Sequence, residues 1–108
     1  MAKLEMEFCS DFDDLLKRIE EGVLNASISA TLEDACDWQT PQARCSVRVF
    51  ERYSYAGGNR VSMNVTLFQT DGITRLCAVT SGGSQATFWK INTWGEEAFL
   101  ETLVRQLK

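Results

Sequence analysis

The chain reads as an α+β protein, with about six mostly antiparallel strands in one sheet and two helices, the C-terminal helix packed on the sheet. Three observations predict this. Most segments alternate apolar and polar residues with the period of two expected of a strand with one wet face. Glycine and asparagine turn signals separate several of these segments at hairpin spacing. Helical spacing of apolar residues recurs in only two places, once after the first strand and once at the C-terminus.

Leu4, Met6 and Phe8 alternate with Lys3, Glu5 and Glu7, giving a first strand. Ser10 is the expected N-cap of the first helix, with Asp11, Asp13 and Asp14 favourable near its positive end. Phe12, Leu15, Leu16, Ile19 and Val23 form its apolar stripe, and Gly22 is the expected stop. Ala26, Ile28, Ala30 and Leu32 then alternate with Ser27, Ser29, Thr31 and Glu33 as a second strand. A loop holding the only proline, Pro41, leads into Ala43, Cys45, Val47 and Val49, which alternate with Arg44, Ser46 and Arg48. The alternation slips at Phe50-Glu51, where a β-bulge is expected, and Arg52 follows it.

Ala56-Gly57-Gly58-Asn59 and Asp71-Gly72 are hairpin signals, because glycine and asparagine accept positive φ. Between them Val61, Met63, Val65 and Leu67 alternate with Arg60, Ser62, Asn64 and Thr66. Ile73–Thr80 and Ala86–Ile91 carry apolar residues on both parities, so both are expected to be strands covered on both faces. Thr93 with Glu96 reads as a capping box for a last helix whose stripe includes Phe99, Leu103 and Leu107. The order is β-α-β-β-β-β-β-α in a single domain over residues 1–108. In element order it resembles a shortened helix-grip arrangement, a curved sheet around a long C-terminal helix. Leu4, Met6, Phe8, Ile28, Ala30, Val47 and Val49 are expected in the core with Val61, Met63 and Val65.

Composition narrows the function. At 44% hydrophobic and 24% charged the chain is ordinary globular material. A net charge of −4 argues against a nucleic-acid module. The absence of histidine removes the commonest general base and metal ligand. Residues 1–7 alternate charge with apolar side chains, so neither a signal segment nor a membrane span is expected and a cytoplasmic protein is. Cys9, Cys36, Cys45 and Cys77 are then expected as free thiols, with no Cys-x-x-Cys pair.

Glu51-Arg52-Tyr53-Ser54-Tyr55-Ala56-Gly57-Gly58-Asn59-Arg60-Val61-Ser62-Met63-Asn64-Val65-Thr66-Leu67, Thr80-Ser81-Gly82-Gly83-Ser84-Gln85-Ala86 and Lys90-Ile91-Asn92-Thr93 resemble a family of small bacterial proteins classed as a domain of unknown function. The resemblance runs the whole chain and implies a single-domain bacterial protein of this length. It brings no activity, cofactor or catalytic residue.

No catalytic, cofactor or metal site is expected. The pairs Asp13-Asp14, Glu20-Glu21 and Glu96-Glu97 are adjacent on helices and diverge into solvent. Glu33, Asp34, Cys36 and Asp37 lack the glycine and ligand spacing of a calcium loop. Two candidate sites remain. Ser81-Gly82-Gly83-Ser84 is either a tight turn or an anion-binding nest, to which Lys90, Arg60 or Arg75 adds charge if the fold brings it close. Ser27, Ser29, Thr31, Ser62, Asn64 and Thr66, with Phe50 and Phe68 on the nominally polar parity, form a face of short side chains expected to join a homodimer or a protein partner. The leading expectation is a non-enzymatic, self-associating interaction module. The alternative is a small-ligand or anion binder using that loop or the space between sheet and helix.

Overall fold

The computed structural model describes residues 1–54, 59–82 and 89–107. In chain order the elements are β1 (Ala2–Phe8), α1 (Phe12–Asn25), β2 (Thr31–Gln39), β3 (Ala43–Ser54), β4 (Asn59–Thr70), β5 (Ile73–Gly82) and α2 (Trp89–Leu107). The strands form one sheet in the order β1-β5-β4-β3-β2, with every neighbouring pair antiparallel. The fold is α+β, with five strands among the described residues rather than about six. The missing strand is the one expected at Ala86–Ile91: residues 89–91 begin α2, and 86–88 lie outside the described residues. The Ala56–Gly58 part of the first hairpin signal also lies outside them. At the second, Asp71 (φ 53°) and Gly72 (φ 77°) both take the positive φ of a two-residue hairpin turn, as the dipeptide predicts.

Both helices pack on one face of the sheet. Phe12, Leu15, Ile19 and Val23 of α1 and Phe99, Leu103 and Leu107 of α2 meet Val61, Met63, Val65 and Leu67 of β4 and Leu76 and Ala78 of β5 in one buried cluster. Leu4, Met6 and Phe8 of β1 pack against its edge. Asp11, not Ser10, caps α1: its carboxylate accepts from the Asp14 backbone N–H at 2.9 Å. The helix also runs past Gly22. A Cβ at Gly22 would lie 2.3 Å from Gln106 Cγ, so this glycine marks close passage of α2 rather than a helix stop.

The strand β3 turns the opposite way from the expectation. Phe50 pairs with Met63 and Arg48 with Val65, and directly paired residues share a face. With Met63 and Val65 in the core, Phe50, Arg48 and Ser46 must follow, and all three are buried. Val47 and Val49 pair with Thr66 and Asn64 and lie half-buried on the face opposite the helices. No shift interrupts the β3–β4 register, so the expected bulge at Phe50-Glu51 is absent there. The shift lies in the partner strand, between Leu32 and Asp34 of β2, opposite Val49 and Phe50.

The second strand begins later than the alternation suggests. Residues 26–30 turn, with the Ala30 N–H donating to the Ser27 carbonyl at 3.2 Å, and Ile28 is 99% exposed rather than in the core. The stretch read as a loop before Pro41 is edge strand β2.

Urea unfolding separates the two readings of β3. Phe50→Ala is expected to cost about 3–5 kcal/mol and Leu103→Ala about 2–5 kcal/mol, the usual range for buried large-to-small changes. Val47→Thr is expected to cost less than about 1.5 kcal/mol, because that side chain lies outside the main core. A larger loss at Val47 than at Phe50 would contradict the register.

Candidate interaction face

The sheet face away from the helices carries the residues of opposite parity, laid out in rows by the pairing. One row runs Lys3, Val79, Asn64, Val49, Asp34 from β1 to β2. The next runs Glu5, Cys77, Thr66, Val47, Cys36, and a third Glu7, Arg75, Phe68, Cys45, Trp38. In the first two rows the charged side chains stand at the margins and small apolar or uncharged polar ones in the middle; the third carries Arg75 on β5 and Phe68 on β4. Cys45, Val47, Val49, Cys77 and Val79 are half-buried, whereas Phe68 is 41% and Trp38 63% exposed. A shallow depression of about 480 Å³ opens on this face between β1, β5 and β4, with Glu5, Glu7, Thr66, Phe68, Arg75 and Cys77 around it.

The candidate interface residues divide. Ser62, Asn64, Thr66 and Phe68 lie on this open face. Phe50 does not: it is fully buried under the helices, because β4 dictates its parity. Sequence reasoning missed Trp38, Val47 and Val49 as face residues. One signal for the region was legible, since apolar residues on both parities of β5 require an apolar environment on both sides. The four cysteines are free thiols. Burial, with Cys36 and Asp37 nearby, pushes the Cys45 thiol above its ordinary value, which keeps it protonated and a poor nucleophile at neutral pH.

The candidate anion loop is only partly described. Ser81 and Gly82 end β5; Gly83 and Ser84 lie outside the described residues, and Lys90 is in the first turn of α2. The Gly82 N–H donates to Glu96 Oε2 at 2.8 Å, and the Met1 ammonium donates to Oε1 of the same buried carboxylate at 2.7 Å. Ser81 Oγ lies 3.0 Å from Ser62 Oγ. Arg60 is bonded toward β3 and β2: its Nε donates to Glu51 Oε1 at 2.8 Å and its Nη2 to Thr31 Oγ1 at 3.2 Å.

A polar seam on the helix side fixes α1 against β2 and β3. The buried Arg48 guanidinium donates to Glu20 of α1 at 3.0 Å and to both oxygens of Asp37 at 3.0 and 3.3 Å. Ser46 adds a bond to Asp37 at 2.5 Å. Burial alone would lower the Arg48 pKa, but the bonds from Asp37 and Glu20 outweigh it and hold the pKa above its ordinary value. The Ser46 and Arg48 bonds hold the Asp37 carboxyl below its usual range. Further along, Arg44 forks onto Asp13 at 2.8 and 3.2 Å, depressing that carboxyl, and lies 4.1 Å from the Phe12 ring centre. Arg52 lies 4.8 Å from the Phe99 ring centre and donates to Thr102 Oγ1 at 3.3 Å; burial lowers its pKa.

These features define a two-layer α+β protein whose sheet has a helix-covered face and an open one. The chain belongs to DUF6054, a family of unknown function, whose family model matches residues 1–108. Among solved structures, it is similar to the protein of unknown function PA94 from Pseudomonas aeruginosa, with 10% identity and a TM-score of 0.59 over 94% of this chain and 67% of that one. At that identity the likeness is one of fold. No curated protein matches the chain.

The seam makes stability depend on pH at the acid end. A carboxyl held low in the folded state contributes fully above its unfolded value, and that contribution is lost as pH falls through the folded value. Urea midpoints from about pH 6 to about pH 2.5 are expected to fall below about pH 4, less steeply in Asp37→Asn than in the wild type. Because the Asp37 side chain is 59% accessible, its share should stay within about 1 kcal/mol. Identical acid limbs would show that Asp37 contributes nothing.

Proposed function

We propose that the protein is a non-enzymatic interaction module whose docking surface is the open sheet face. The observation that carries this is the band of half-buried Cys45, Val47, Val49, Cys77 and Val79 on the face opposite both helices, with Phe68 and Trp38 standing out of it. Each square ångström of such surface removed from water contributes roughly 25 cal/mol, and exposed aromatic residues are the usual anchors of an interface. The short uncharged side chains of Ser62, Asn64 and Thr66 lie between the apolar strips and add little desolvation cost. A small-anion site at Ser81–Ser84 draws less support, because the Gly82 N–H is already engaged by the carboxylate of Glu96.

Gel filtration of the tagged protein in native cell extract tests the module. The wild type is expected to elute well above the 12.2 kDa monomer, and Val47→Lys and Phe68→Glu at monomer size with unchanged circular dichroism. Monomer-sized elution of all three would overturn the proposal.

A further inference from the structure

The geometry points to a second copy of this chain as the partner, stacked face to face about a two-fold axis that runs along β4; this rests on the open face being the docking surface. The sheet order puts β4 in the centre, β5 and β3 beside it, and β1 and β2 at the margins. Rotation about an axis along β4 sets β5 over the partner's β3 and β1 over its β2, while each row stays level with itself. The consequences are specific. Val79 meets Val49, and Cys77 meets Val47, joining apolar strip to apolar strip. Ser62, Asn64, Thr66 and Phe68 of β4 all lie on the axis against their own copies. This suits the first three because hydroxyl and amide groups both donate and accept, and the last because two rings can stack. Arg75 comes over Cys45 beside it.

The margins match as well. Lys3 and Asp34 end the same row on opposite edges, so the rotation places each Lys3 over an Asp34, twice per dimer. Trp38 and the Glu7–Arg75 side of the depression end another row in the same way. The rotation therefore carries the 63% exposed indole onto the depression of about 480 Å³. Arg75 is there to face the ring and Glu5 and Glu7 to accept from its N–H. Five strands about 4.8 Å apart and roughly eight residues long present about 600 Å² in plan before side-chain relief is added. That approaches the roughly 800 Å² per partner of a stable complex. Packing at the small angle usual for stacked sheets keeps the rows in step near the axis.

Sedimentation equilibrium of the purified full chain, from about 1 to about 200 µM, tests this, with Trp38→Ala, Lys3→Asp, Asp34→Lys and the Lys3→Asp/Asp34→Lys exchange. All three positions lie on the exposed margins, so a matching thermal melt confirms that the fold is intact. The wild type is expected to dimerise and Trp38→Ala to weaken the dimer roughly thirtyfold or more. Each single charge variant should weaken it roughly tenfold, and the exchange should restore it to near wild type. A wild type that stays monomeric at about 200 µM overturns the second copy as partner. If the protein in extract still elutes in a Val47-dependent assembly, the docking face stands with a different partner. A dimer indifferent to Trp38 and to the charge exchange overturns the axis.

Discussion

The unbroken register of β3 and β4 is the constraint on which the rest of the structure depends. Two twelve-residue strands pair along their full length with no shift, and β5 continues the same alignment on the other side. Once Val61, Met63, Val65 and Leu67 face the helices, the parity of every paired residue is decided. Phe50 goes into the core for this reason, and Val47 and Val49 go out of it despite being as apolar as any core residue. With both helices on one face, the sheet keeps a second face whose centre is partly apolar.

The same register buries Arg48, and the surrounding elements answer that charge. A guanidinium taken from water is costly unless its donors are met, and here Glu20 comes from α1 while Asp37 comes from β2. The seam closes only when α1, β2 and β3 hold their native relation. A slip of the edge strand by one residue would turn Asp37 to the other face and leave Arg48 with Glu20 alone. The bulge in β2 is part of this arrangement: the extra residue between Leu32 and Asp34 sets the parity of the later half of the strand, putting Asp37 beneath α1 and Trp38 on the open side.

As proposed, the open sheet face acts as a binding surface. Its depression is shallow and ringed by a mixture of charges, while Val47, Val49, Cys77, Val79, Asn64 and Thr66 form an uncharged band across the middle strands. At the helix-covered seam Arg44 bonds Asp13, and Arg48 bonds Asp37 and Glu20; these arginine bonds hold the Asp13 and Asp37 carboxyls low.

Several elements were legible in the sequence because their signals are local. The alternation of Leu4, Met6 and Phe8, the helical stripe from Phe12 to Val23, the Asp71-Gly72 turn and the apolar face of the last helix each depend on side chains a few residues apart, and each appears where the pattern places it. The α+β class follows from their order, and the candidate face from Ser62, Asn64, Thr66 and Phe68. What the tertiary structure alone decided was which side of β3 faces the helices, where β2 begins, and that residues 89–91 are helical. In β3 Ala43, Cys45, Val47 and Val49 lie on one parity and Phe50 on the other, so hydrophobicity alone favours the wrong side, four residues against one. Only pairing with β4, whose parity is unambiguous, and the carboxylates that α1 and β2 bring to Arg48 settle the choice. Both come from residues distant in sequence, which no local period can report.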